Sequence, residues 1–418
     1  MKHWGTQMSM DVAGRHHPEE QGLKRHMLLA LIMYFLWTPV NPTAPPDDPL
    51  KFTYFLIIIV IFDGIYTIAF LNHTSLFPEM FQTEEERIKV NAIRQVLTIL
   101  GLIFGFIVPL LFISDTLAES TPRLEVINQY QTAGIVIAIA TLISMLITFI
   151  WGCRERKEFK RDPYNSPGFI KALKYTLANK SFLTYVIAGL MCWTVFSILP
   201  SLINLYAVHI LNVPSSIWIG ILLGSAFISG AILVFLWRYI GRKIGVRKAF
   251  ILSLIAFAIT LQPLLFINNY IEGLIVFLTI GLGLAGPIYF IDLIISHIVD
   301  EDELRTGVRR EGMYYGSNGV IIRFSTVISY LAINLAFNST GWYIYDPGAG
   351  ITPMQILALR LLLSVFPAIL LIIGIIAMYF YPLHGKKLKE VLTKKAELHT
   401  KKLKDCLLYT SDAADELD

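Results

Sequence analysis

The sequence predicts an all-α polytopic membrane protein, and three observations predict it. The 418 residues are 55% hydrophobic and only 16% charged, whereas a soluble domain carries about 25% charged residues. Mean hydropathy is +0.59, and apolar runs of about 20 residues, the length that crosses a bilayer as a helix, recur along the chain. The loops between these runs collect Lys and Arg on every second turn only, as the positive-inside rule requires of short loops.

About ten spans follow from the runs, near 26–40, 52–77, 90–113, 131–152, 181–208, 215–237, 249–267, 272–292, 317–337 and 355–381. The first is short; Pro, Gly or polar breaks separate the others. Lys24, Arg25, Arg87, Lys89, Arg154 to Lys180, Arg238 to Lys248, Arg305 to Arg310 and Lys386 onward fall on one side. That side is expected to be cytoplasmic, with both termini on it. The small net charge of +4 reflects these loops rather than a nucleic-acid surface. Cys153, Cys192 and Cys406 form no CxxC pair, and no secretory signal is visible. No HExxH, nucleophile elbow or paired catalytic carboxylates mark an enzyme, and no metal or organic cofactor is expected.

Within 52–77, Asp63, Tyr66, Phe70 and His73 are spaced three, four and three apart and share one helix face. Asp63 falls near mid-span, where a carboxylate is costly unless it meets a partner or a wet cavity. It is the candidate for a proton or coupling ion. In the next span Arg94 offers a planar fork of donors. Thr98, Gly101 and Gly105 continue its face, and small residues at that spacing predict a packed face. Arg323 is a second arginine inside a span, and Arg360 is expected near an interface. Gly281-Leu282-Gly283-Leu284-Ala285-Gly286 reads literally as GxGxxG, but it lies inside an apolar span and follows no strand. Close helix packing is the expectation there, not a dinucleotide site.

The most informative stretch runs from Ser296 to Gly316. Asp300 with Glu303, then Arg305-Thr306-Gly307, Arg309-Arg310-Glu311-Gly312 and Tyr314-Tyr315-Gly316, resemble a loop of the glycoside-pentoside-hexuronide:cation symporters, a family of the major facilitator superfamily. In that family the loop precedes the penultimate span. From composition alone it is expected to sit in water beside the membrane. The second basic loop, Arg238 to Lys248, is similar to the corresponding loop of major facilitators. Arg242 and Arg247 join Asp300, Glu303, Arg305, Arg309, Arg310 and Glu311 as candidates for a cytoplasmic gate.

The resemblance implies a major facilitator fold with about ten of the expected twelve helices. It implies an N-terminal bundle of four spans over 1–152, a central cytoplasmic loop over 153–180 and a C-terminal bundle of six spans over 181–385. A basic tail follows over 386–405, expected as an exposed helix, and then a non-native, adapter-derived tail over 406–418. Two spans are expected to be missing at the start, since Gly14-Arg15-His16-His17-Pro18 resembles the end of the family's loop between its second and third spans.

The resemblance further implies a secondary transporter that carries a sugar or glycoside with a cation by alternating access. It places substrate among Tyr66, His73, Arg94 and Arg323. Tyr66-Thr67 matches a step of the family, Arg94 aligns with a sugar-contacting arginine, and Arg323 stands where the family has a lysine. Phe70 stands where the family has its sugar-binding aspartate, and Asp63 does not replace that group. The family's sodium carboxylates lie on its second span, so the coupling cation, H+ or Na+, stays open. The expected partners are a small-molecule substrate and membrane lipid; the expected state is a monomer in the plasma membrane. The alternatives are a carrier of another amphipathic substrate such as a lysolipid, or a non-transporting membrane receptor or enzyme.

Overall fold

The structure is a computed structural model that describes residues 28–38, 40, 48–112, 123–148, 150, 169–213, 216–342 and 351–415. Helices are α1 (28–36), α2 (Pro49–Met80), α3 (Glu84–Phe112), α4 (Arg123–Ile147), α5 (Phe169–Ala178), α6 (Lys180–His209) and α7 (Ser216–Ile244). They continue as α8 (Val246–Leu261), α9 (Tyr270–Thr306), α10 (Glu311–Ser339), α11 (Pro353–Leu363), α12 (Val365–Tyr379) and α13 (Gly385–Asp415). Among the described residues nine segments are long and apolar enough to cross a membrane, with α11 and α12 counted as one. The segment expected near 26–40 is not among them, because its helix spans only 28–36.

Local signals set the helix ends. Asp48 caps α2 by accepting from the Leu50 N–H, and Pro49 occupies the first turn. Thr83 and Glu86 cap the start of α3 reciprocally. Asn179 accepts from the Ser181 and Phe182 N–H groups at α6, and Thr352 with Gln355 forms a capping box at α11. Gly307, in the left-handed region at φ 76°, ends α9.

The packed core lies among α6–α12, and Ala92 and Ile99 of α3 join it. Helices α7 and α8 both lie along α9. A Cβ on Gly281 would stand 1.8 Å from Ser229 Oγ, and one on Gly283 would stand 2.4 Å from Phe257 Cα. The GxGxxG stretch is therefore a packing surface. Gly101 and Gly105 behave differently from expectation: nothing lies within 4 Å of a Cβ there, and their face of α3 is open. Small residues permit close approach, but here no described helix takes it up.

Four contacts tie α2 and α3 to α7, α9 and α10: α2 with α9 and with α10, α3 with α7 and with α9. Phe106 stacks on Phe227 in the α3–α7 contact. The end of the bundle that carries Arg87 and Asp300 is called the basic end below.

Candidate functional site

The stretch expected as a water-exposed loop is instead a buried polar network, the densest cluster of buried charges among the described residues. Helix α9 continues fourteen residues beyond its expected end at 292, to Thr306. Ile294, Ile295, Ile298 and Val299 bury its apolar side, and Asp300, Glu301, Asp302 and Glu303 are buried with them. Arg309, Arg310 and Glu311 are buried too. Charges this deep persist only when each has a partner, and each does.

Asp300 takes Arg87 of α3 bidentately, with the longer arm at 3.1 Å. Arg87 also donates to the carbonyls of Phe81 (2.7 Å) and Pro78 (3.0 Å) at the end of α2. Arg309 bridges Glu303 (2.8 Å), Glu311 (2.5 Å) and the same Pro78 carbonyl (3.1 Å). Arg310 holds Asp302 through two nitrogens. Burial works against the charge on Arg309, but Glu311, Glu303 and Asp300 outweigh it and hold its pKa above the usual arginine range.

The tail helix α13, expected to be exposed, lays one face on this network. Lys395, 3% exposed, reaches Asp300 at 3.3 Å and donates to the Gln82 carbonyl at 2.6 Å. His399 and Lys402 meet Glu303 at 2.8 and 2.9 Å, and Lys387 meets Glu301 at 3.0 Å. Burial pushes Lys395 down to about 8; Asp300 opposes this, and Arg87 and Arg309 add to it. The helix extends through Asp415, across part of the segment expected as a foreign tail.

The other gate candidates stand apart. Arg305 pairs with Glu301 at 2.8 Å but is half exposed. Arg247 donates to the Met378 carbonyl (3.0 Å) and to that of Tyr379 at the end of α12, and Arg242 is exposed with no ion pair among the described residues.

Two further ion pairs lie deeper. Arg323 of α10 pairs with Asp63 of α2 and also donates to the Thr67 hydroxyl. Both charged side chains are nearly half exposed. Tyr66, on the next turn, stacks between Phe62 and Phe70. Arg94 does not join this pair. It lies over the Phe77 ring and stands 3.4 Å from Asp292 of α9. The Asp292 carboxylate accepts from Gln95 at 2.7 Å, and Asn91 donates to the Tyr289 carbonyl at 2.7 Å. His73 is exposed on α2. Arg360 is bound to the hairpin before α9, donating to the Leu265 and Ile267 carbonyls and to Asn268.

Residues 25–385 match the family model described as MFS/sugar transport protein. The chain belongs to this family. It is a transporter of the major facilitator superfamily, in the plain sense of that family's description. An uncharacterized symporter of Synechocystis is 23% identical over 79% of this chain and 74% of its own length. A Salmonella typhimurium protein named "Putative sulfoquinovose importer" is 22% identical over 84% and 72%. The fucose:proton symporter of E. coli shares the fold, with a TM-score of 0.59 at 14% identity over 90% of this chain and 87% of that one.

For an MFS/sugar transport protein the residues that sequence reasoning missed are instructive. Asp292 is a lone acid inside an apolar run, the same signal that singled out Asp63, but it stood at the edge of its expected span. Arg87 read only as an orientation marker. Lys395, His399 and Lys402 repeat at four and three along α13, which puts them on one face. That spacing was legible; the acids it meets were not.

Proposed function

We propose that the protein moves a hydroxyl-rich, acidic sugar derivative by alternating access, with the basic end facing the cytoplasm, and that Arg323 and Arg94 are its anion-binding groups. The observation that carries this is the Asp63–Arg323 pair. It joins two helices from opposite parts of the chain, at mid-depth, and stays open. A pair at this depth that is left nearly half exposed fits a watery chamber, where open charge costs least. An incoming sulfonate or carboxylate can take both arms of the Arg323 fork, which Asp63 and the Thr67 hydroxyl now share, and Tyr66 and Phe70 offer ring faces to the sugar. A relative named for a sulfonated sugar supports the anionic class. The clasped basic end corresponds to the state closed toward the cytoplasm, with both termini there. The protein works as a monomer in the plasma membrane, with a cation moving alongside the substrate.

The test is uptake into proteoliposomes of a labelled sulfonated sugar, a neutral sugar and a lysophospholipid by the full-length protein. The sulfonated sugar should saturate and compete best. Arg323→Ala should lower its uptake about a hundredfold, the order expected for losing a charged hydrogen bond to the substrate. Preferred uptake of the lysophospholipid, or unchanged uptake by Arg323→Ala, refutes the proposal.

A further inference from the structure

We infer that Asp292, not Asp63, takes the coupling proton, and that Arg94 controls it by leaving for the substrate. This rests on the proposed anionic substrate. Asp292 is the more enclosed of the two acids, 19% exposed against 46% for Asp63. Its partner is loosely held. The Arg94 guanidinium approaches to 3.4 Å, yet its buried Nη1 makes no hydrogen bond, in contrast with the bidentate Arg87–Asp300 pair. The Gln95 amide donates to Oδ2 at 2.7 Å; Oδ1 has no hydrogen-bond partner among the described residues.

The surroundings can accept a neutral acid. The Tyr185 and Tyr315 hydroxyls, from α6 and α10, are buried among these helices. A tyrosine hydroxyl can supply the acceptor oxygen that a protonated carboxyl needs. Other charges are further off. Arg87 and Lys395 serve Asp300, two turns along α9, and Arg238 and Arg242 of α7 act on Tyr289, a turn away in the opposite direction. Among the described residues Arg94 is therefore the one cation directly on Asp292.

The coupling follows from charge. When Arg94 turns to a substrate anion, a largely buried carboxylate is left without its counter-charge, which burial penalises unless it is neutralised. A proton from the open chamber adds to Oδ1; one O–H bond forms and nothing else is exchanged. Anion and proton then bind together and leave together, and each raises the affinity for the other by the same factor.

Two measurements test this. The first needs no substrate. Arg94→Ala mimics the departed arginine, so infrared spectra of that variant at neutral pH should gain a protonated-carboxyl band. The band should vanish in Arg94→Ala/Asp292→Asn and persist in Arg94→Ala/Asp63→Asn. Absence of the band, or its loss with Asp63→Asn instead, overturns the inference. The second adds a sulfonated sugar and follows a pH indicator. The parent should take up a proton on binding and Asp292→Asn should take up none. Sodium-dependent binding without proton uptake also overturns it. If the sugar does not bind the parent, the proposed substrate class fails, and the infrared measurement still decides the role of Asp292.

Discussion

Arg87→Ala should open the basic end, and the size of the effect can be worked from the contacts. Arg87 is 1% exposed and its partner Asp300 is fully buried. Breaking a buried pair by removing one member costs about 3–5 kcal/mol, because the other charge is stranded. Here the loss is smaller. Asp300 keeps Lys395 at 3.3 Å and Arg309 at 3.7 Å, and the Pro78 carbonyl keeps Arg309. About 2–3 kcal/mol remains, a shift of roughly 30- to 140-fold in the ratio of closed to open molecules. Spin labels on Glu85 and Lys394, both exposed, span the clasp from α3 to α13. Pulsed dipolar distances in a cysteine-free background should show one short population in the parent. Arg87→Ala should add a longer one. Arg305→Ala serves as the control, since Arg305 is half exposed and Glu301 keeps Lys387. If Arg87→Ala gives the parent's distribution, the buried pair does not hold the two parts together.

Docking of α13 should tighten as pH rises from about 8 toward the ordinary lysine value of 10.5. Below that window Lys395 is charged both docked and released, and docking carries the cost of burying it. Inside the window the docked helix sheds the proton first, so linkage favours docking. Protease accessibility of α13 should fall across the window in the parent and stay flat in Lys395→Met; a rise in the parent contradicts the buried position. Gly281→Ala should destabilise the protein by about 1–3 kcal/mol through overpacking, since its Cβ meets Ser229 Oγ at 1.8 Å and the Ala226 carbonyl at 2.5 Å. Gly105→Ala, in open space, should melt with the parent, and equal melting of both variants would show that α7 and α9 can separate freely.

Period and composition made the helices legible, because a bilayer imposes length and apolarity on each span by itself. Partners across the fold were harder. Asp63 and Arg323 were each visible as costly charges at depth, yet nothing in the chain order said that they meet across 260 positions. The 296–316 stretch failed in an instructive way. Acids there read as water-exposed because isolated charge avoids low dielectric, but α3 and α13 bring the opposite charges that reverse the argument. Gly101 and Gly105 show the converse error. Spacing tells which face permits close packing, whereas occupancy depends on a neighbour.

The three ion pairs that link α2 and α3 to α9 and α10 differ in the features that would assign them separate tasks. Arg87–Asp300 is buried and bidentate, and it is reinforced by Lys395, so releasing it requires several contacts to break at once. Asp63–Arg323 is open, so a solute can compete for it at little desolvation cost. Arg94–Asp292 is intermediate in exposure and poor in geometry. The clasp also needs α13 for charge balance. Asp300, Glu301, Asp302, Glu303 and Glu311 are five buried acids, and Arg87, Arg309 and Arg310 are three buried arginines. Lys395 supplies a fourth buried cation, and Lys402, 15% exposed, supplies a fifth at Glu303. Without that helix Asp300 and Glu303 would lose Lys395 and Lys402, and burial penalises carboxylates stripped of counter-charge by several kcal/mol. The tail is therefore part of the closed state rather than an appendage to it.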